Sequence, residues 1–345
     1  MNATPAIPTT DADLDELLSR PAPADVAALA ALDGDLLVLG AGGKMGPSLV
    51  RLARRAADAA AGPRRVIAVS RFGQPALAGR LAAQGIETIA CDLLEPAALA
   101  ALPDAPNVVF MAGQKFGTSG NPAATWALNA WLPAQVMQRF RDARIVLFST
   151  GNVYPLVPVT GGGAREDDAP GPIGEYAQSA LARERLVAFF AERGGTPAAV
   201  LRLNYAVELR YGVLRDLADR IVAREPIDLT MGWVNVVWQR DANAVALRAL
   251  AAAAVPPLVL NVTGPETLRV RDLAGRIGQR LGVAPVFAGA EAETALLSNA
   301  HRCRALFGPP TVDPHTLCDW VADWVGRGGR SLGKPTHFDE RGGAF

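Results

Sequence analysis

Short apolar runs recur along the chain, and each closes on glycine or a small polar residue. They are Leu36 to Gly40 (LLVLG), Arg65 to Ser70 (RVIAVS), Ile86 to Asp92 (IETIACD), Asn107 to Gly113 (NVVFMAG) and Arg144 to Thr150 (RIVLFST). Ala198 to Asn204 (AAVLRLN) and Leu258 to Gly264 (LVLNVTG) continue the series. Alanine- and leucine-rich stretches with helical spacing separate them. Runs this short, apolar without alternation, predict strands buried on both faces. Strands that alternate with helices predict parallel βαβ units, hence an α/β protein built on a doubly wound parallel sheet. Residues 1–33 are Pro- and Ala-rich and read as an N-terminal extension. Leu14, Leu17 and Leu18 there form a small apolar face.

Composition narrows the classes. The 345 residues carry 34 basic and 34 acidic side chains, so no net charge draws the chain to nucleic acid or an anionic membrane. No segment reaches the roughly 18 apolar residues of a membrane span. The N-terminus has Asp11, Asp13, Asp15 and Glu16 in place of a basic signal start. Cys91, Cys303 and Cys318 are too few for a disulfide framework, and a cytoplasmic protein is expected. His301-x-Cys303 and His315-x-x-Cys318 hold zinc-type atoms, but apolar neighbours read as core, and no metal is expected. Only Lys44, Lys115 and Lys334 are lysines among the basic residues.

In LLVLGAGGKMGPSLV, Gly40, Gly43 and Gly46 stand between the first strand and the first helix. Glycine permits a tight turn, close approach of a pyrophosphate and tight helix–strand packing, and the helix N-terminus then faces the phosphates. Lys44 and Met45 lie within that loop. An acidic residue at the end of the second strand would select NAD(H); Ser70 and Arg71 stand there instead, which suits a 2′-phosphate and favours NADP(H). A solvated surface arginine is the competing reading of Arg71. Lys44 would add a second positive charge. Asp92, with Leu93 after it, is placed either to meet the adenine amino group or to cap the next helix.

These features, with CDL at Cys91 to Leu93, MAG at Met111, Ala112 and Gly113, Asn129, FSTGNVYP at Phe148 to Pro155, Tyr176 and Asp241, resemble the extended short-chain dehydrogenase/reductase family, in its branch of nucleotide-sugar epimerases and dehydratases. The resemblance covers roughly residues 35–325. It implies a Rossmann core over residues 34–202, receiving further strands from about 236–263. A smaller C-terminal substrate lobe over 203–330 and a tail over 331–345 would follow. It also implies a homodimer through helices near 124–140 and 176–193. The cofactor contacts it implies are Gly40, Gly43, Lys44, Met45, Gly46, Ser70, Arg71, Asp92, Leu93, Met111, Ala112, Gly113 and Asn129.

The implied chemistry is hydride transfer to or from a carbon bearing oxygen on a sugar or sugar-derived substrate. Tyr176 is the acid/base and Thr150 orients the reacting oxygen. The family's lysine, four residues after the tyrosine, is replaced by Ala180. Lys115, in the loop after the fourth strand, is the candidate replacement and a candidate substrate contact, with Asn152, Asn204, Tyr205 and Arg210. An enzyme working mainly as a reductase, or a catalytically impaired nucleotide-binding regulator, are the other readings of Ala180. The arginine with which many members grip a diphosphate is also missing: Trp233, Val234 and Asn235 occupy that place. This opens the substrate to a free sugar, sugar acid or lactone.

Overall fold

The computed structural model describes residues 7–118 and 120–344. Seven parallel strands form the central sheet: β1 (Leu36–Leu39), β2 (Val66–Ser70), β3 (Glu87–Ala90), β4 (Asn107–Phe110), β5 (Arg144–Thr150), β6 (Ala198–Leu203) and β7 (Leu258–Val262). Their order is β7-β6-β5-β4-β1-β2-β3. The order reverses between β1 and β4, and the carboxyl ends of those strands open the crevice where doubly wound sheets take ligands.

Alternate residues of each strand enter two separate cores. Leu36, Val38, Val66, Ala68, Val109 and Val146 face one side. Leu37, Leu39, Ile67, Val69, Val108 and Ile145 face the other. Double burial is why the runs carry no polar alternation. On the first side pack α2 (Pro23–Ala30), α3 (Gly46–Ala59) and α10 (Gln239–Ala252); α4 (Pro75–Ala82) and α5 (Pro96–Ala100) follow β2 and β3. The second side is covered by α6 (Pro122–Trp126) and α7 (Leu132–Arg139), joined through a π-helical turn at Ala127–Trp131, and by α8 (Gly174–Gly194).

A further core joins α9 (Val213–Ala223), α11 (Val270–Leu281) and α13 (Pro314–Gly326), with Trp238 and Trp320 meeting edge to face at 5.7 Å. The short α12 (His301–Phe307) packs on β7. The N-terminal segment is built into the molecule. α1 (Asp11–Ser19) adds Leu14 and Leu18 to the α9/α11/α13 core. Asp25, fully buried in α2, pairs with Arg240 and with Arg248 at 2.7 Å. The C-terminal tail is likewise fastened down. Phe338 is fully buried, Arg220 meets Asp339 at 2.8 Å, and Arg341 donates to the carbonyls of Thr230 and Thr294 at 2.8 Å.

Among the described residues, no helix is long and apolar enough to cross a membrane, and no three metal-ligating side chains gather. Cys303 and Cys318 lie in different cores, and burial pushes both thiols up to about 12.

Candidate active site

The glycine loop leaves β1 and starts α3. Gly40 has φ +91°, and a Cβ there would stand 2.5 Å from the Ala112 nitrogen; one on Gly46 would stand 2.2 Å from the Ala41 oxygen. Both positions need glycine, for backbone conformation and for close packing. A Cβ on Gly43 would approach only the Gly40 oxygen, at 3.3 Å. The loop is therefore tight against the protein and open above Gly43, the shape of a phosphate cradle.

A cleft of about 530 Å³ runs over this loop. Gly40, Gly43, Ser70, Arg71, Asp92, Leu93, Met111, Ala112 and Gly113 all line it, as expected. Cys91, which opens the CDL motif, lines it as well, and so do Gly42, Phe72 and Leu128, which went unread in the sequence. Asp92 also accepts from the Leu94 nitrogen at 3.1 Å, so it faces the cleft and braces the next turn at once.

Two expected cofactor contacts are corrected. Asn129 is fully buried in the π-helical turn and lines no part of the cleft. Its side chain accepts from the Gln114 nitrogen at 2.9 Å and donates to the Gln114 oxygen at 2.8 Å, fixing the loop after β4. Lys44 does not join Arg71. Its ammonium turns inward, donates to the Ala206 carbonyl at 3.1 Å and lies 3.6 Å above the Tyr211 ring. The cause is tertiary: the segment after β6 brings the Ala206 carbonyl to the loop. Met45 follows Lys44 to the same inner side, while Gly46 packs under the loop.

That inner side is a second cavity, of about 170 Å³. Lys44, Lys115, Thr150, Asn152, Tyr176, Asn204, Tyr205, Tyr211 and Thr336 are among its walls. The glycine loop is shared, Gly43 facing the large cleft and Lys44 the small cavity. Thr150, at the end of β5, donates to the Asn152 side chain at 3.0 Å and accepts from the Asn152 nitrogen at 3.2 Å. Tyr176, in the first turn of α8, hydrogen-bonds to the Thr150 side chain. Burial pushes the phenol above its ordinary value, against the pull of that bond and of the Arg183 guanidinium. The structure thus unites Thr150, Tyr176, Lys115, Asn152, Asn204 and Tyr205, which are far apart in sequence.

Arg210 is a third correction. It faces away from the cavity and is consumed by ion pairs to Asp11 and Asp15 at 3.0 Å and to Glu208 at 3.2 Å. Lys115 donates to the Thr336 carbonyl at 3.3 Å. Burial brings its ammonium down to about 8, and that of Lys44 to about 7.

Arg183 was not anticipated. It lies seven residues after Tyr176, on the same face of α8. It is 6% exposed and donates to the Asn129 carbonyl and side chain at 2.8 Å and to the Phe148 carbonyl at 2.6 Å. A Cβ on Gly113 would stand 2.9 Å from its guanidinium, so Arg183 lies directly beneath the cleft floor. Ala180, where the family's lysine would stand, is fully buried with Val153, Tyr154 and Ala164. Behind it, Glu184 accepts from Arg202 at 2.7 Å and from Ser149 at 2.5 Å.

The model of the NAD dependent epimerase/dehydratase family matches residues 36–252. The chain belongs to that family. As a member it is an enzyme of the epimerase/dehydratase type that uses a nicotinamide cofactor. Solved structures share the fold. A UDP-glucose 4-epimerase from Thermotoga maritima, solved with UDP-glucose, superposes with a TM-score of 0.68 at 16% identity, covering 84% of this chain and 98% of that one. A UDP-glucuronic acid 4-epimerase variant from Bacillus cereus, solved with a fluorinated UDP-glucuronic acid and NAD, gives 0.69 at 18%, with the same coverage. A Thermus thermophilus UDP-glucose 4-epimerase complexed with NAD gives 0.69 at 19%, again over 84% and 98%. No curated protein sequence matches the chain.

Proposed function

We propose that the protein is an NAD(P)-dependent oxidoreductase or epimerase-like enzyme that acts on a hydroxyl or carbonyl carbon of a sugar or sugar-derived compound. The observation that carries this is the hydrogen-bonded pair of Tyr176 and Thr150 in a cavity that shares the glycine loop with the cofactor cleft. The fit of a dinucleotide rests on a loop that Gly40 and Gly46 let pack tightly against Ala112 and Ala41 while it stays open above Gly43. When bound, the nicotinamide supplies or accepts the hydride.

The chain's own residues do the rest. Tyr176 gives its proton to, or takes it from, the reacting oxygen. Thr150, held by Asn152, orients that oxygen. Arg183, through Asn129 and the Phe148 carbonyl, keeps the strand-end loops in place and puts a fixed cation behind the phenol. Asn204 and Tyr205 shape the wall opposite. Arg71 at the cleft rim favours NADP(H) over NAD(H), now without help from Lys44, although the Bacillus cereus and Thermus thermophilus neighbours were solved with NAD. Exposed Trp126, Trp131 and Phe189 on the α6–α7 stretch and α8 support the expected homodimer through those helices.

Label transfer tests the reading. The protein would be given NADPH or NADH deuterated at the transferable C4 position together with a metabolite extract, and compounds that gain deuterium would be sought by mass spectrometry. Tyr176→Phe should lower the labelling rate by about 10² or more, with cofactor affinity unchanged. Undiminished labelling by the variant would remove Tyr176 from the mechanism.

A further inference from the structure

The tail after α13 meets the Tyr176 cavity and its helix at three places. Thr336 is itself a wall of the cavity, and its carbonyl accepts from Lys115 at 3.3 Å. The Phe338 carbonyl accepts from the Tyr205 hydroxyl at 3.3 Å. Gly343 lies against Ile173 and Gly174, where the helix that carries Tyr176 begins. A Cβ on Gly343 would stand 2.3 Å from the Ile173 oxygen, and one on Gly174 would stand 2.3 Å from the Gly343 oxygen. The two backbones touch with no room for a side chain on either, and both glycines have positive φ, +77° and +80°.

Each contact sits beside an anchor. Thr336 gives its nitrogen at 2.8 Å and its hydroxyl at 2.5 Å to Asp216 on α9. Phe338 is fully buried in the α9/α11/α13 core, and Asp339 beside it pairs with Arg220. Arg341, two residues before Gly343, donates at 2.8 Å to the carbonyls of Thr230 and Thr294 and to the Thr294 hydroxyl. A swinging lid needs a stretch free to move, whereas contact and anchor alternate here from Thr336 to Gly343. The arrangement is that of a clamp. What it clamps includes a helix start. Tyr176 stands in the first turn of α8, whose backbone N–H groups find no partner within the helix. No side chain caps that start among the described residues, and an uncapped helix end frays unless contacts from outside hold it. Trp126 steadies it on one side, donating to Glu175 at 2.5 Å. Gly343 meets the entry of the chain into the helix.

We infer that Arg341 and Gly343 are positioning residues for the reaction: Arg341 fixes the tail, and the backbone at Gly343 holds the start of α8 so that the Tyr176 phenol stays on Thr150. The inference rests on Tyr176 being the acid/base proposed above. It makes the tail a working part of the active site, although neither residue lines the cavity.

The test uses the full chain saturated with NADH. Gly343→Ala pushes the tail off α8, Arg341→Met frees it from its anchor, and Arg341→Lys keeps part of that anchor. Hydrogen exchange read by mass spectrometry should become about tenfold or more faster in the first turns of α8 in the Gly343→Ala and Arg341→Met proteins. NADH affinity should be the same in all variants, which also reports that they are folded. Label transfer from C4-deuterated NADH to the metabolite extract should slow about tenfold or more in the same two proteins, since a displacement of about 1 Å can cost about 10²-fold. Arg341→Lys should recover most of the rate. In a Tyr176→Phe background Gly343→Ala should slow transfer no further, because a residue that acts through the phenol has nothing left to position. Equal slowing in both backgrounds, unchanged exchange in α8, or parental transfer rates in both variants would overturn the inference. Exchange is a separate readout: faster exchange in the variants of a parent that transfers no label sinks the catalytic reading and leaves the clamp on α8 standing.

Discussion

Replacing Lys44 by methionine has a consequence for stability that can be worked from its surroundings. The ammonium is brought from 10.5 down to about 7, first by burial and then by Lys115 and Arg210, against the attraction of Glu208 and Asp216. Because the folded value lies below the unfolded one, the unfolded chain holds more protons at this residue between about pH 7 and pH 10.5, and stability rises with pH across that window. At about 1.4 kcal/mol per unit, charging Lys44 in the folded protein costs about 5 kcal/mol at pH 6 and about 2 kcal/mol at pH 9. Methionine removes that cost and loses the bond to Ala206 and the contact with Tyr211, together about 1–2 kcal/mol. Lys44→Met should therefore stabilise the fold by about 3 kcal/mol at pH 6 and by close to nothing at pH 9.

The assay is urea unfolding of both proteins at the two pH values. Equal slopes with denaturant would license comparing midpoints. Lys115 titrates in both proteins and cancels to first order. A difference between variant and parent that is the same at pH 6 and pH 9 would refute the argument, because only titration of Lys44 makes it pH-dependent.

Three other substitutions probe separate parts of the molecule. Arg71→Ala should weaken NADPH about tenfold or more while leaving NADH nearly unchanged in a fluorescence titration, since a charge-assisted bond to phosphate is lost; parallel losses would count against a 2′-phosphate contact. Arg202→Met leaves buried Glu184 without its ion-pair partner and should cost about 3–5 kcal/mol in unfolding experiments; a neutral result would mean that the buried pair contributes nothing net. Ala180→Lys, which restores the family's residue, should destabilise by about 1–3 kcal/mol through overpacking against Val153 and Tyr154, and faster label transfer at unchanged stability would show the position to be still open.

The seven strands were legible because burial on both faces writes itself as uninterrupted apolar runs. The glycine loop was legible because Gly40 and Gly46 answer local constraints, a positive φ and a contact five residues back. What escaped depends on partners far along the chain. The direction of Lys44 is set by Ala206, 162 residues away. Arg210 looked available until Asp11 and Asp15, in a segment read as an extension, claimed it. Asp25 in that same segment pairs with both Arg240 and Arg248, and no local pattern announces such a pairing. Arg183 did leave a signal: its seven-residue spacing from Tyr176 is two helical turns.

Arg183 also bears on the direction of reaction. Residue 180, where the family's lysine would stand, is packed among Val153, Tyr154 and Ala164, and Arg183 is engaged with the carbonyls of Asn129 and Phe148. Burial outweighs it, and the phenol of Tyr176 stays above its ordinary value near 10. Through the neutral range Tyr176 thus keeps its proton, and in the proposed reaction it would protonate an oxygen that gains charge as hydride arrives. Taking a proton from an alcohol asks it first to lose its own, at a cost of about 1.4 kcal/mol for each unit by which its pKa exceeds the pH. Carbonyl reduction should accordingly proceed at a kcat that is flat in its Tyr176-dependent step up to about pH 10, whereas alcohol oxidation should rise about tenfold per pH unit over that range. Stopped-flow measurement of hydride transfer in both directions, compared with Tyr176→Phe, separates the two. An oxidation rate already level at pH 7 would mean that another group, and not the position of Arg183, has taken over the work of the missing lysine.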